Sequence, residues 1–568
     1  MIQQTTPFRF RTEPYKHQLD AFNQFKDAEF FALFADMGTG KSKIIIDIAA
    51  YKFLKGEINA VLVLAPNGVH EQWAKEQVVI HCPTPHWQFV WKTTKAGNVN
   101  YYTNMLEDFI FAAESPKLRF LCMNIEALQS DSVIPWLAKY MQSNKVFTII
   151  DEATRIKSIN AKRTKTAQRL TKYGPHCIAT GTPAAQNPFD IFAPFEFLQP
   201  NFFGCNYFVF QHRYGLMMRG TNPHTGGKFT TLMDRPTYEK IKGAIKHRLE
   251  ETKKEKLDSY QIDEVSVIMG VSSKVVEFIE GHEEYTRYKR LDELKELIAP
   301  HVFSAKKKDC LDLPEKIYEK VELPMPKDLR KVYNSLKEKL FAEYSGKELS
   351  VSNKMVLSLR LMQVCGGFFP MSVDEIRTDI DDKEIEELTP KQIKIRRVKP
   401  LIIDVKETKM EALLHEIEEI DENEQIIVWG TFISELELLY EEIKKRWSAR
   451  LYYGATPTDK RDEYKTAFQK GEYRVFIGNP STAGFGLNLQ NSTYQLYYSN
   501  SFRVENRLQA EDRSHRLGVK NACVYKDFIY KNSIDEKVYD VIKTGRELND
   551  YFKELSLEQI LNDENEED

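Results

Sequence analysis

The chain opens on an alternation of short apolar runs with longer segments whose apolar positions recur at helical spacing. Phe30-Phe31-Ala32-Leu33-Phe34, Ala60-Val61-Leu62-Val63-Leu64, Phe120-Leu121-Cys122-Met123 and Val146-Phe147-Thr148-Ile149-Ile150 are continuous runs, not in–out alternations. Strands of that kind are covered on both faces, as in a parallel sheet flanked by helices. A helical pattern between them, over residues 44–54 for example, makes βαβ units the expected architecture of residues 1–200.

The same rhythm returns near the other end. Segments 425–429, 474–478 and 494–498 read as buried strands, and 433–445 and 459–469 as helices. Between the two α/β regions the texture changes to long charged helical patterns, over 238–256 and 283–297. Residues 374–399 swing from acidic to basic, the pattern of a solvated connector. The expected division is therefore an α/β lobe at 1–200, a helical protrusion and connector at 201–400, an α/β lobe at 401–550 and an acidic tail at 551–568 that reads as unstructured.

Composition narrows this picture without redirecting it. With 568 residues the chain is too long for one core. Eighty Lys and Arg against 83 Asp and Glu exclude a blanket polycation, though not a basic groove, because local fields decide binding. Seven scattered cysteines with no C-x-x-C pair argue against a zinc finger or a disulfide framework and for a reducing compartment. Residues 1–6 lack the pattern of a signal peptide and no apolar run spans a bilayer, so a cytoplasmic protein without a membrane partner is expected, in the host cytoplasm if the source is viral.

Candidate chemistry starts at Ala35-Asp36-Met37-Gly38-Thr39-Gly40-Lys41-Ser42, between an expected strand and an expected helix. Backbone N–H groups in such a turn form a nest for phosphate oxygens, and glycine lets the backbone approach closely. Lys41 is placed to reach the β- and γ-phosphates of ATP and Ser42 to ligate Mg²⁺. Ala35 stands where the common form of this loop has its first glycine. The loop alone does not separate a kinase, a GTPase and a motor.

Asp151-Glu152 follows the strand 146–150 directly. Carboxylates at that end of a parallel strand lie where phosphate loops lie. Asp151 can hold Mg²⁺ through water, and Glu152 can orient and deprotonate an attacking water. The bland alternative is an acid pair at a helix start.

The block Asp151-Glu152-Ala153-Thr154-Arg155-Ile156-Lys157-Ser158 resembles the D-E-x-x box of superfamily-two helicases, in the form of the Swi/Snf-type ATPases. The D-M-G-x-G-K-S loop is similar to that family's phosphate loop. Thr154 departs from the family, which has histidine there to couple the ATP site to the neighbouring motif. Further blocks follow in the family's order. Gln18 resembles the glutamine that reads the adenine edge. Ala65-Pro66-Asn67 with Gln72-Trp73 resembles a motif that touches the nucleic-acid backbone, through Pro66 and Asn67. Thr180-Gly181-Thr182-Pro183 with Gln186-Asn187 resembles the coupling motif. Each has an ordinary structural alternative: a solvated helix residue for Gln18, a core side chain for Trp73, a simple turn for Thr180 to Pro183.

In the second α/β region, Gln509, Arg513 and Arg516 stand at i, i+4 and i+7, the spacing of one helix face. Their block, Gln509 to Gly518, resembles the family's Q-A-x-D-R-x-H-R-x-G motif. That resemblance implies a nucleotide contact for Gln509 and charge stabilisation on the transferring phosphoryl group by Arg513 and Arg516. Ser481 to Leu489 resembles the S-T-x-A-G-G-x-G-L-N-L motif, which implies backbone contacts at Thr482 and Gly484. Gly454-Ala455-Thr456 with Arg461 fits the element before it. Leu313-Pro314 and 359–363 resemble the connecting region, with Lys306-Lys307-Lys308 in place of the usual R-R-x-K.

The resemblance, spanning residues 10–545, implies two RecA-like lobes and a monomeric, ATP- and Mg²⁺-dependent motor on nucleic acid. Duplex DNA is the leading track, with a role in DNA repair or recombination in a bacterium or phage. The alternatives are a strand-separating DNA or RNA helicase and, further off, a non-hydrolysing ATP-gated clamp.

Overall fold

A computed structural model describes residues 8–91, 99–112, 115–181, 187–221, 228–282, 285–310, 313–344, 351–370, 400–402, 409–483, 487–516, 519 and 521–545. The chain divides into two compact units, Met1–Leu311 and Asp312–Asp568. The charged middle of the sequence is thus shared between them.

The first unit is built on strands β1 (Phe30–Ala35), β2 (Ala60–Ala65), β3 (His86–Val90), β4 (Leu118–Asn124), β5 (Val146–Asp151), β6 (His176–Thr180) and, after a separate hairpin of β7 (Met217–Thr221) and β8 (Lys228–Leu232), β9 (Val302–Ala305). The sheet order is β3-β4-β2-β5-β6-β1-β9, and every pairing in it is parallel. All six residues of β2 are buried. Ala60, Leu62 and Leu64 enter one core while Val61, Val63 and Ala65 enter the other, so each face is roofed by helices. At about 1.5–3 kcal/mol for each fully buried large aliphatic side chain, these central strands anchor the lobe.

β9 was not announced by any apolar run. The chain leaves the sheet after β6 and returns to pair β9 with β1, Ala32↔Val302 to Ala35↔Ala305. The return continues into the phosphate loop: Asp36 N–H donates to Ala305 O (3.0 Å). The Asp36 carboxylate in turn accepts the Lys307 N–H (2.8 Å).

The second unit carries β10 (Lys316–Leu323), the small antiparallel pair β11 (Phe368–Pro370) and β12 (Pro400–Ile402), then β13 (Ile426–Trp429), β14 (Ala449–Tyr452), β15 (Val475–Gly478), β16 (Tyr494–Tyr497) and β17 (Cys523–Tyr530). Its parallel sheet runs β10-β17-β16-β13-β15-β14. The fold class is α/β, two parallel-sheet lobes, as expected. The helix expected over 283–297 is shorter, Leu291–Ile298. Its upstream half is drawn off instead into a bridge between Gly215 and Tyr288. Residues 374–399 and 551–568 lie outside the described residues. No helix among the described residues is long and apolar enough to cross a membrane.

Candidate functional site

The phosphate loop connects β1 to the helix Lys41–Leu54. Gly38 and Gly40 adopt φ of 83° and 85°, in the left-handed region that favours glycine. A Cβ on Gly40 would sit 2.2 Å from Gln18 Nε2, so this position also needs glycine for space. Gln18 is buried: its Nε2 donates to Thr39 O (3.0 Å) and its Oε1 accepts the Tyr15 N–H (3.0 Å). His17 Nε2 lies 2.8 Å from the same Thr39 carbonyl. Here the two side chains brace the loop from outside. Thr39 Oγ1 donates to Asp36 O (2.8 Å), closing the turn from within. Lys41 Nζ donates to Ala35 O (2.7 Å) and Asp36 O (3.2 Å), so the ammonium lies along the loop's own carbonyls.

β5 ends in the acid pair. Asp151 Oδ2 accepts the indole N–H of Trp73 (2.7 Å), and its Oδ1 accepts the Glu152 N–H (3.1 Å). Trp73 is 1% exposed, so it is a core side chain orienting an acid and not a surface contact. Each Asp151 oxygen keeps a further lone pair, which suits a water or a cation.

Glu152 sits in the left-handed region (φ 62°, ψ 67°), a costly conformation for a residue with a Cβ. Its Oε1 accepts both the Thr154 hydroxyl (2.9 Å) and the Thr180 hydroxyl (3.1 Å). Burial, and then the neighbouring Asp151 charge, raise its pKa, while Lys41 and the two hydroxyls oppose the rise. Thr154 and the end of β6 thus meet on one carboxylate oxygen. Gly181 follows, and a Cβ there would lie 3.1 Å from Met37 Cγ and 3.7 Å from Lys41 Nζ. Gly181 is therefore packed on the phosphate loop. Thr182 lies outside the described residues. Pro66 O accepts the Val69 N–H (3.0 Å), and Asn67 is exposed beside it.

In the second unit the helix Val504–Glu511 ends before the arginines. The face expected from Gln509, Arg513 and Arg516 is not helical throughout. Outside donors take the backbone carbonyls there: Leu489 N–H binds Arg513 O (3.0 Å) and Gln495 Nε2 binds Glu511 O (3.3 Å). Arg513 is buried, with Nε donating to Gln509 O (3.1 Å), and Arg516 Nε donates to Asp512 O (2.8 Å). Thr482 N–H caps onto Asn479 O (3.0 Å), and Asn479 Nδ2 reaches Thr431 O (2.6 Å). Arg461 donates to Thr456 O (3.0 Å) and Gly454 O (3.0 Å), holding that turn. Gly484 lies outside the described residues.

Sequence reasoning missed His17, the Trp73–Asp151 bond and Arg507. Arg507 is 4% exposed, bonds Glu511 (2.8 Å) and Asp527 (3.0 Å), and stacks 3.4 Å from the Tyr497 ring centroid. An arginine nine residues after an expected strand carries no signal of this in the sequence.

A phosphate loop, an acid pair and two hydroxyl-bearing segments on one parallel-sheet lobe, followed by a second such lobe, define a two-lobed ATPase core. The chain belongs to the SNF2-related family: the SNF2-related domain matches residues 31–367, and the helicase conserved C-terminal domain matches 408–518. It is similar to the ATP-dependent helicase MG018 of Mycoplasma genitalium, 23% identical over 94% of this chain and 42% of that one. It is also similar to the ATP-dependent helicase fft1 of Schizosaccharomyces pombe, 23% identical over 46% of this chain and 30% of that one. The chain spans less than half the length of these relatives. The SWI2/SNF2 ATPase core of Sulfolobus solfataricus, solved in complex with dsDNA, aligns over 99% of both chains at 18% identity and a TM-score of 0.36. The sheet topology, not that superposition, defines the fold here.

Proposed function

We propose that this chain is an ATP-dependent DNA translocase that moves along duplex DNA. The observation that carries the reading is the triple meeting at Glu152, where the Thr154 and Thr180 hydroxyls converge on one oxygen beside Lys41. An acid so held is poised as the base for an attacking water, and its state is tied to the segment that leads on to Gly181. The backbone of Gly38 to Ser42 and the Lys41 ammonium would bind the phosphates of ATP, and Gln18 would keep the loop in shape beside the base. Ser42 and Asp151 would hold Mg²⁺, which supplies charge neutralisation on the phosphates when bound. Gln509, Arg513 and Arg516 are assigned to the nucleotide, and Pro66, Asn67, Gly454, Thr482 and Gly484 to the nucleic-acid backbone. Backbone contacts position a protein without reading bases, which suits a motor. Relatives named as ATP-dependent helicases support the enzyme class.

ATP turnover measured with duplex DNA, single-stranded DNA, RNA and no polymer tests this. Stimulation by duplex DNA and loss in Lys41→Ala are expected; equal turnover under all four conditions would refute it. Displacement of a triplex-forming strand without separation of the duplex distinguishes translocation from unwinding.

A further inference from the structure

Between the helix Tyr207–Tyr214 and β9 the chain builds a module of its own. Its neck is closed by Leu216 N–H donating to Arg287 O (2.9 Å) and Lys289 N–H to Tyr214 O (2.9 Å), around the Gly215–Tyr288 bridge. Inside, Leu216, Met233, Tyr238, Ile241, Val276 and Ile279 belong to a core separate from those of the sheet. The hairpin β7–β8 and three helices, Arg235–Thr252, Ser259–Met269 and Ser273–Glu280, form it.

The last two helices have the build of a helix–turn–helix. Three residues, Gly270-Val271-Ser272, join them, and Gly270 turns in the left-handed region (φ 66°). Val265 and Ser266 of the first helix and Val275, Val276 and Ile279 of the second are buried against one another and against the helix before them. Ser273 Oγ donates to Asp263 (2.6 Å) and lies 3.4 Å from Ser266 Oγ, fixing the pair. Outward, the second helix and its cap present Ser272, Lys274 and Glu277. That mixed polar set is of the kind that reads base edges, unlike a uniform stripe of cations.

A second observation concerns charge. Lys274 gathers with Lys289 and Arg290 on the returning chain: burial, with the charges of Arg290 and Lys274, holds the Lys289 ammonium below its usual range. Arg290 lies 3.9 Å from Glu293, but neither Lys274 nor Lys289 pairs with a carboxylate among the described residues. Such a cluster of like charges is relieved by an anion.

We propose that this helix–turn–helix is a second docking site for duplex DNA, apart from the ATPase motifs. Its second helix would lie in the major groove, and Lys274, Lys289 and Arg290 would meet the flanking phosphates. B-form DNA fits because its major groove admits a helix, whereas the deep, narrow major groove of an RNA duplex does not. The helix Ser259–Met269 also exposes Tyr260, Val267 and Ile268, an apolar face that favours a protein partner instead. The unpaired cations decide for DNA.

The test is binding of a fluorescent 20-base-pair duplex, as DNA or as RNA of the same sequence, to the full chain without nucleotide over a series of salt concentrations. It is run in the Lys41→Ala background, so turnover plays no part. Lys274→Glu and Lys274→Glu/Arg290→Glu are compared with Lys274→Arg, and circular dichroism checks the fold. The double variant is expected to lose DNA affinity about tenfold, with the salt slope reduced by about two, while Lys274→Arg keeps both. Unchanged affinity and slope in both charge reversals, or equal losses on DNA and RNA, would overturn the proposal. A parent chain that fails to bind duplex DNA at all would refute the translocase reading first.

Discussion

Two charges, one in each lobe, are treated in opposite ways. Glu152 is served by two neutral hydroxyls and lies next to another acid, so its carboxylate is held above its ordinary pKa. Arg507 is enclosed by Asp527, Glu511 and the face of Tyr497. Burial works against its charge, yet these neighbours outweigh burial and hold its pKa well above the ordinary value. A charge fully matched by opposite charges is fixed as architecture. A carboxylate whose hydrogen bonds come from hydroxyls, with Lys41 offsetting only part of the effect of burial and of Asp151, is held toward protonation and can exchange a proton. The distinction lies in what surrounds each charge and not in burial alone: Arg507 is buried and Glu152 is half-buried.

The largest expected effect breaks the comparison from the catalytic side. Glu152→Gln keeps the volume and the hydroxyl contacts but removes the proposed base, so DNA-stimulated ATP turnover should fall by roughly 10²- to 10⁴-fold, with little change in melting temperature. Arg507→Met should do the reverse. It leaves Asp527 buried with Asn500 as its remaining partner, while Glu511 keeps Lys316 and Tyr318, and should cost about 3–5 kcal/mol in denaturant unfolding, monitored by the fluorescence of Trp429, a buried tryptophan of the same lobe. If that variant melts like the parent, the assignment of Arg507 to architecture is wrong.

Thr154→Ala should be milder, a loss of several-fold in turnover from one hydrogen bond worth about 1 kcal/mol, restored by Thr154→Ser. The same variant sharpens the pH argument. The Thr154 hydroxyl lowers the Glu152 pKa, so its removal should move the acidic limb of the turnover profile to higher pH. A limb that moves to lower pH contradicts the assignment.

The smallest effect concerns Glu435, buried in the second lobe and pushed up to about 7 from 4.5, chiefly by burial. The folded state holds this proton more tightly than the unfolded state. Its contribution is therefore complete below pH 4.5 and is lost as pH rises through about 7. Glu435→Gln should flatten that part of the stability curve, read as melting temperature against pH.

The strands that were legible in the sequence are those at the centres of the sheets. β2, β5 and β13 are roofed on both faces and had to be written in apolar residues. β9 and β10 are edge strands, and β10, Lys316 to Leu323, mixes four charged residues with apolar ones and has no buried position. Their places depend on partners far along the chain, as with Lys316↔Cys523, and no local pattern encodes that. The phosphate loop and acid pair were legible because spacing within one turn dictates them. The brace at Thr39 and the indole on Asp151 were not, because each joins segments separated by the fold: Gln18 to Thr39, and Trp73 to Asp151. The helix–turn–helix stood in plain sequence, yet its signature is one glycine and a few apolar positions, which packing alone made distinct.

The backbone of Glu152 has a consequence for adaptation. A glycine there would relax a left-handed residue (φ 62°) while deleting the carboxylate. Selection for robustness alone would thus pull this position away from glutamate, and selection for turnover would hold it in place. Glu152→Gly should accordingly emerge in a screen for heat resistance and vanish in one for activity, marking where the chain trades durability for turnover.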